Sequence, residues 1–265
     1  MTKVQYSPNT RNTANAIKSS NSFSLTEAAI QESRIEHSLH SLFLILLVIS
    51  SPSQLYPFQL NRSDTSSALV WRLADLPSII VERDSLIGNP AQIASPFGTA
   101  LQFNGAGDAI FLDCNPLKNL YQFTIEVIFQ PDSGGKSEQR FLHIGEVRGK
   151  RVLLETRLID NRWCLDAYVK SGDSLCTLID RNLLHPTDRW YHVALTVDNG
   201  RMTTYINGRK ELEGTVPFQP LTSGRTSIGV RQNRVDWFKG AIYLIKISPT
   251  VVTPDRFIKQ RNERK

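Results

Sequence analysis

From Leu69 onward, short apolar runs alternate with turn signals at regular spacing. In one run, Phe123, Ile125, Val127 and Phe129 place an apolar side chain at every second position. A period of two is typical of β-strands, and no stretch of this region keeps a helical period. The pattern predicts an all-β fold, a two-sheet antiparallel sandwich, over residues 66–258.

The residues of one turn predict the register of a central hairpin. If Asp160 and Asn161 form a two-residue turn, apolar side chains meet on one side of the strand pair. The apolar pairs are Leu158–Trp163, Thr156–Leu165 and Leu154–Ala167, and the pairs on the other side are Arg157–Cys164, Glu155–Asp166 and Leu153–Tyr168.

A second turn, at Ser171-Gly172, continues the apolar side by pairing Ala167 with Cys176 and Leu165 with Leu178. Cys164 and Cys176 then point to opposite faces, and bridged cysteines need converging side chains. We therefore expect no disulfide between them. Further turns are predicted at Asp198-Asn199-Gly200 and Asn207-Gly208.

The N-terminal part of the chain has a different texture. Residues 1–41 are rich in Ser, Asn and Thr and predict a disordered or weakly helical extension. Eight apolar residues, 42–49, begin a segment that ends at 65 and is too short to span a bilayer. They resemble a signal-peptide core, with a buried strand or short anchor as the alternative. The expected location is secreted, periplasmic or at the cell surface, with no transmembrane span.

The charge of the chain is concentrated at its C-terminal end. The formal net charge is +6, and residues 256–265, which include the basic tail at 259–265, hold five basic residues against one acidic residue. The remaining chain is nearly neutral, so we expect no nucleic-acid partner. The three cysteines have no structural zinc spacing.

An ordered series of motifs carries a family likeness. The series is Phe103-Asn104-Gly105 with Asp108, Phe123-Thr124-Ile125-Glu126, Trp190-Tyr191-His192-Val193-Ala194, Tyr205-Ile206-Asn207-Gly208, Ile228-Gly229 and Phe238-Lys239-Gly240-Ala241-Ile242. Together they resemble the laminin G-like domains of the concanavalin A-like lectin/glucanase jelly-roll family. The resemblance implies two stacked antiparallel sheets that bind glycans or protein partners on one sheet face or on the rim loops.

The chain departs from the family pattern in two places. Asn104 stands where the family commonly has Asp, and Tyr243-Leu244 stands where it has an acidic pair. Many such domains bind calcium, so the resemblance makes calcium the candidate cofactor. Because of the two departures, calcium binding by this chain stays an open question.

The most distinctive candidate site is the facing pair Glu155 and Asp166. Like charges opposite each other are unfavourable unless a cation or base compensates them. The preferred interpretation is a solvated outer face neutralised by Arg157 and Lys170. The alternative is a ligand site formed by Glu155, Asp166 and Tyr168, with Arg157 beside it.

Two further groups are candidate ligand sites. Asp108, Asp113 and Asn115 offer oxygen ligands suited to calcium, although ordinary turn capping is the preferred interpretation of these residues. Trp237 follows the basic residues Arg231 and Arg234. The arginines and the tryptophan are candidates for binding an anionic polysaccharide, by charge and by stacking respectively. Packing at the sandwich edge is the simpler interpretation of Trp237.

Motifs for catalysis are missing from the sequence. It lacks E-x-D-x-x-E, the motif of related sandwich hydrolases, and no serine or cysteine nucleophile signature accompanies His143, His185 or His192. We therefore expect a non-catalytic binding module that recognises carbohydrate or a cell-surface partner. The alternatives are a structural or adhesive protein-interaction domain and, less favoured, a divergent polysaccharide hydrolase or lyase.

Overall fold

Sixteen strands build the part of the chain that the computed structural model describes, residues 67–79 and 84–259. In chain order they are β1 (Leu69–Arg72), β2 (Ser85–Ile87), β3 (Ala91–Ser95), β4 (Gly98–Asn104), β5 (Ala109–Leu112), β6 (Gln122–Pro131), β7 (Glu138–Gly145), β8 (Arg151–Ile159), β9 (Arg162–Ser171), β10 (Ser174–Ile179), β11 (His185–Pro186), β12 (Tyr191–Asp198), β13 (Arg201–Ile206), β14 (Arg209–Thr215), β15 (Arg225–Ile228) and β16 (Lys239–Ser248). A short helix, α1 (Leu76–Ile79), and one 3-10 turn, Pro254–Arg256, accompany them.

The strands form two antiparallel sheets of eight. Sheet A has the order β14-β13-β12-β6-β16-β4-β3, with β1 also paired to β16. Sheet B has the order β10-β9-β8-β7-β15-β5-β2, with β11 also paired to β9. This arrangement confirms the predicted two-sheet antiparallel sandwich.

The core lies between the sheets and is rich in aromatic side chains. Phe129 of sheet A stacks on Phe141 of sheet B with ring centroids 4.7 Å apart, and Trp163 meets Phe129 edge-on at 5.2 Å. Trp163, Leu165 and Ala167 are buried in this core, as the period-two pattern predicts. Burial of such side chains is the main driving force for closing the sandwich.

The predicted register of the β8–β9 hairpin is confirmed at all six pairs. Asp160 and Asn161 have φ values of 48° and 58°, the left-handed conformations that a type I′ turn requires at both positions. The turns at Asn199-Gly200 and Asn207-Gly208 also have positive φ at both residues. Turn chemistry therefore determined these registers.

The predicted register of the β9–β10 hairpin is wrong by two residues. Ala167 pairs with Leu178, and Val169 pairs with Cys176, because the turn residues are Gly172 and Asp173. Gly172 has a φ of 61°, so it fits the first central position of a type II′ turn. A shift of two leaves every side chain on its predicted face, and for that reason the apolar pattern did not reveal it.

Cys164 and Cys176 lie on opposite faces of sheet B, as predicted. Cys176 belongs to the core between the sheets, whereas Cys164 faces away from it, opposite Arg157. Both are free thiols.

The predicted extension at 1–41, the signal-like segment at 42–65 and residues 260–265 of the basic tail lie outside the described residues. Within the described ranges, the structure has no helix whose length and apolar character would suit a bilayer crossing.

Candidate functional site

The outer face of sheet B, turned away from the core, carries a concentration of polar side chains. Since Leu165 and Ala167 point inward, the alternation of β9 turns Asp166 and Tyr168 outward. The matching positions on β7 and β8 turn outward as well. We call this surface the polar face, defined by Glu138, Arg140, His143, Arg151, Glu155, Arg157, Asp166 and Tyr168.

Two arginines hold the facing carboxylates Glu155 and Asp166. Arg157 Nη2 lies 2.9 Å from Glu155 Oε2 and 2.5 Å from Asp166 Oδ2. Arg140 Nε lies 2.9 Å from Glu155 Oε1. Both oxygens of Glu155 are therefore ion-paired, and guanidinium groups compensate the like charges.

Two further carboxylates extend the ion network. Glu138 Oε2 lies 2.6 Å from Arg157 Nη1, and Asp236 Oδ2 lies 2.5 Å from Arg140 Nη1. Asp236 belongs to residues 229–238, the loop between β15 and β16, which we call the covering loop. Its backbone also joins the face, because the Arg140 amide donates to the Asp236 carbonyl at 2.9 Å.

The prediction that this outer face is solvated is wrong, since Glu155 and Asp166 are each only 2% exposed. The compensating partner that sequence analysis missed is Arg140, whereas Lys170 lies opposite Arg151. A bulge between Arg140 and Leu142 breaks the alternation of β7, so no local pattern indicates that Arg140 faces Glu155.

Burial and repulsion alter the ionisation of the carboxylate pair. Burial raises the pKa of Glu155, and the neighbouring charge of Asp166 raises it further, to about 7, against the pull of Arg140 and Arg157. Burial also raises the pKa of Asp166. Because four carboxylates share two guanidinium groups, a retained proton lowers the excess negative charge of the network.

The other end of the polar face is basic and aromatic. Arg151 Nη2 donates to the Tyr168 hydroxyl at 3.1 Å, and its guanidinium carbon lies 5.0 Å from the centroid of the Tyr168 ring. Burial lowers the pKa of Arg151, and the positive charge of Arg231 lowers it further, while Tyr168 and Glu155 oppose this shift. The Nε atoms of Arg151 and Arg231 are buried without a hydrogen-bond partner.

His143 lies beneath the covering loop as a neutral imidazole. Its Nδ1 accepts from the Gln232 amide at 3.2 Å, and its Nε2 lies 3.1 Å from the Glu146 carbonyl, to which it donates. Burial lowers the pKa of His143 to about 3, with the nearby positive charges of Arg151, Arg231 and Arg140 adding to the effect. This histidine therefore fixes the covering loop to sheet B.

Trp237 lies elsewhere on the outer face of sheet B. It is half-buried and packs against a small cluster of Ala109, Phe111 and Val230. The guanidinium groups of Arg225 and Arg234 lie 5.2 Å and 5.9 Å from the centroid of the Phe111 ring. Arg225 and Arg234 therefore lie over the buried Phe111 ring, and Trp237 packs against the same cluster.

The candidate calcium residues are not brought together by the fold. Asp108 precedes β5, while Asp113 and Asn115 follow it. The Asp108 carboxylate accepts from the amides of Asn89 and Asn104, at 2.9 Å and 3.0 Å, which is a turn-capping role. Within residues 67–79 and 84–259, no group of three or more His, Cys, Asp or Glu side chains is arranged to hold a metal ion.

Comparison with known proteins agrees with the architecture. The family model described as the concanavalin A-like lectin/glucanases superfamily matches residues 104–256. No curated protein sequence matches the chain.

Several solved structures are similar to the described sandwich. Domain 4 of AbnA, an extracellular arabinanase from Geobacillus stearothermophilus solved with arabinotriose, is 24% identical, with a TM-score of 0.47 over 64% of this chain and 79% of that domain. The binding domain of botulinum neurotoxin serotype D is 15% identical, with a TM-score of 0.48 over 72% of this chain and 44% of that one. The sialidase of Trypanosoma rangeli is 16% identical, with a TM-score of 0.44 over 65% of this chain and 28% of that one. The chain thus spans less than half the length of the latter two.

Proposed function

The chain belongs to the concanavalin A-like lectin/glucanases superfamily, and from that premise we propose that it is a non-catalytic module that binds carbohydrate on the polar face of sheet B. The observation that carries the proposal is the half-buried Tyr168 ring beside polar groups held in place by ion pairs. A sugar ring offers apolar C–H groups to an aromatic side chain and hydroxyl groups to charged neighbours.

Rigidity of the polar groups supports binding rather than only folding. The Arg157 guanidinium contacts three carboxylates, so its position is fixed before a ligand arrives. Preorganised groups lose little conformational entropy on binding. Glu138 at the rim has a side chain 49% exposed, so it offers acceptor oxygens to solvent and to a ligand.

Unmet hydrogen-bonding capacity at the base of the face is further support. Asp166 Oδ1 and Arg151 Nε are buried without a hydrogen-bond partner, and most buried polar atoms have one. A ligand hydroxyl group, or a water that bridges to one, can accept a hydrogen bond from a donor such as Arg151 Nε or donate one to an acceptor such as Asp166 Oδ1. The neighbouring Arg231 adds positive charge, which favours sugars that carry an acidic group.

Carbohydrate cleavage is the second candidate, because Glu155 with a pKa of about 7 has the ionisation of a general acid. Against it, both oxygens of Glu155 are engaged by Arg140 and Arg157, and Asp166 shares the same Arg157. A carboxylate so engaged is poorly placed to protonate or attack a substrate. Release of reducing ends or unsaturated products from a polysaccharide panel would favour the enzyme.

A glycan array followed by calorimetry with the full chain tests the binding proposal. Loss of the ring in Tyr168→Ala is expected to weaken glycan binding at least about fivefold, the equivalent of about 1 kcal/mol. Tyr121→Ala is the matched control, since Tyr121 is 61% exposed and precedes β6 in sheet A, so it is expected to leave affinity unchanged. Equal affinities of the two variants, or an array without any bound glycan, would refute the proposal. Retained pulldown of a protein by the full chain would then favour the adhesive alternative.

We infer an extracellular setting for this activity from the sequence of residues 42–53, where eight apolar residues are followed by Ser50-Ser51-Pro52-Ser53. N-terminal sequencing of the exported protein tests this inference, and an intact Met1 or Thr2 would contradict processing.

A further inference from the structure

A recess lies on the outer face of sheet A, the sheet that does not carry the polar face. It has a volume of about 290 Å³ and lies between the β13–β14 turn and residues 254–259, which follow the last strand. This volume is near the lower end of ligand pockets and suits a small group rather than an oligosaccharide. We call it the C-terminal pocket; it is lined by His192, Asn207, Gly208, Pro254, Phe257, Ile258 and Lys259.

A fully buried carboxylate organises the base of this pocket. Glu126 Oε2 lies 3.0 Å from His192 Nε2 and accepts from the Ile258 amide at 2.7 Å, and Oε1 accepts from Lys246 Nζ at 2.8 Å. Burial alone would raise the pKa of Glu126, but the hydrogen bonds from His192, Lys246 and Ile258 outweigh it and hold the pKa below its usual value. Glu126 is thus an ionised anchor whose oxygens are already engaged.

The same contacts fix the walls of the pocket. Phe257 is 5% exposed, and its ring centroid lies 5.3 Å from that of His192 and 5.2 Å from that of Tyr205. Asn207 Oδ1 accepts from the His192 amide at 2.9 Å, which ties the β13–β14 turn to β12. The imidazole of His192 is therefore held between a carboxylate and an aromatic ring while it lines a recess.

The charge of the lining indicates the kind of ligand. Its two ionisable side chains, His192 and Lys259, are both basic, and the lining contains no carboxylate. Lys246 beneath the pocket neutralises Glu126. A ligand that enters meets the positive charge of Lys259, and the negative charge of Glu126 beneath the pocket is offset by Lys246.

We propose that the C-terminal pocket is a second binding site that takes a small oxyanion, the carboxylate, sulfate or phosphate group of a ligand. His192 and Lys259 would flank the anion, and Phe257 would shield one side of it from water. This site is independent of the glycan site proposed on sheet B.

Titration of the full ¹⁵N-labelled chain tests the proposal, with inorganic phosphate, sulfate and glucuronate as probes at constant ionic strength and pH. Binding in the pocket predicts saturable shifts of the Ile258 and Lys259 amides and of the His192 ring nitrogens. Comparison of the three probes distinguishes a free inorganic anion from the acidic group of a sugar. Shifts that never saturate, or that spread evenly over exposed lysines, would overturn the proposal.

Two charge reversals make the test specific. Lys259→Glu alters an exposed residue of the lining and is expected to weaken binding of the best probe at least about fivefold. Lys118→Glu makes the same change of charge at another exposed residue, in the segment between β5 and β6, and is expected to leave binding within about twofold. Equal weakening by both variants would show that only net charge matters. Tyr168→Ala is expected to bind the probe normally, which separates this site from the polar face.

Discussion

Glu155 holds its carboxyl group in a buried position where a second carboxylate is its direct neighbour. Its pKa of about 7 lies above the ordinary 4.5, so between these values the folded protein binds more protons than the unfolded chain. The contribution of Glu155 to the free energy of unfolding therefore falls as pH rises through this window. His143 acts in the opposite direction: with its pKa lowered from 6.5 to about 3, it contributes stability that is lost as pH falls through that range.

Because the two contributions oppose each other, the wild type alone does not reveal the effect of Glu155. The difference in free energy of unfolding between a Glu155 variant and the wild type isolates it. Relative to the wild type, Glu155→Gln is expected to gain free energy of unfolding as pH rises from about 5 to about 8, measured by urea unfolding. Glu213→Gln is the control: hydrogen bonds from Lys210 and Arg201 lower the pKa of Glu213 to about 2, so its window lies below this range. A flat difference curve for Glu155→Gln would contradict the assigned proton.

At the scale of elements, the sequence predicted registers wherever a turn required positive φ at two residues. Asp160-Asn161 is such a turn, and its residues alone predict that Glu155 lies opposite Asp166, as it does in the structure. The sequence did not predict which residues cover Glu155 and Asp166. The bulge in β7 turns Arg140 toward Glu155, and the covering loop adds Asp236, both through contacts between distant segments. Local patterns carry no information on such contacts, so the sequence predicts only part of this group of side chains.

A second element-scale contact fixes the C-terminal segment to sheet A. The buried Thr124 hydroxyl donates to the Thr250 carbonyl at 2.9 Å and accepts from the Val252 amide at 2.8 Å. Thr124→Val keeps the shape but leaves these groups unpaired, so a loss of about 1–3 kcal/mol is expected, with faster hydrogen exchange at Val252.

Thr196→Val is the matched control for this substitution. Thr196 is also buried in sheet A, but its hydroxyl donates to Thr203 at 3.5 Å, a much weaker bond. We expect a smaller loss of stability and no change in exchange at Val252. Equal effects of the two variants would show that the Thr124 hydroxyl does not hold the segment.

For the whole molecule, the sequence predicted the architecture because one physical requirement repeats along the chain. Most strands turn an apolar side toward the partner sheet, and the motifs from Phe103 to Ile242 recur in family order. The outward sides were harder to predict. Thr124, Glu126 and Ile128 lie on the side of β6 that is turned away from the core, yet all three are buried, because residues 249–258 cross that side of sheet A.

The shared core makes the two sheets one cooperative unit, and Phe129 is the residue that tests this. Its ring is fully buried and contacts Phe141 and Trp163 of sheet B.

Phe129→Ala opens a cavity between the sheets and is expected to cost about 3–5 kcal/mol. Because the cavity weakens both sheets, hydrogen exchange in β12 of sheet A and in β9 of sheet B is expected to report one lowered unfolding midpoint. Phe218→Ala, at a half-buried ring near the edge, is expected to cost much less. Separate midpoints for the two sheets would mean that each holds together without the other.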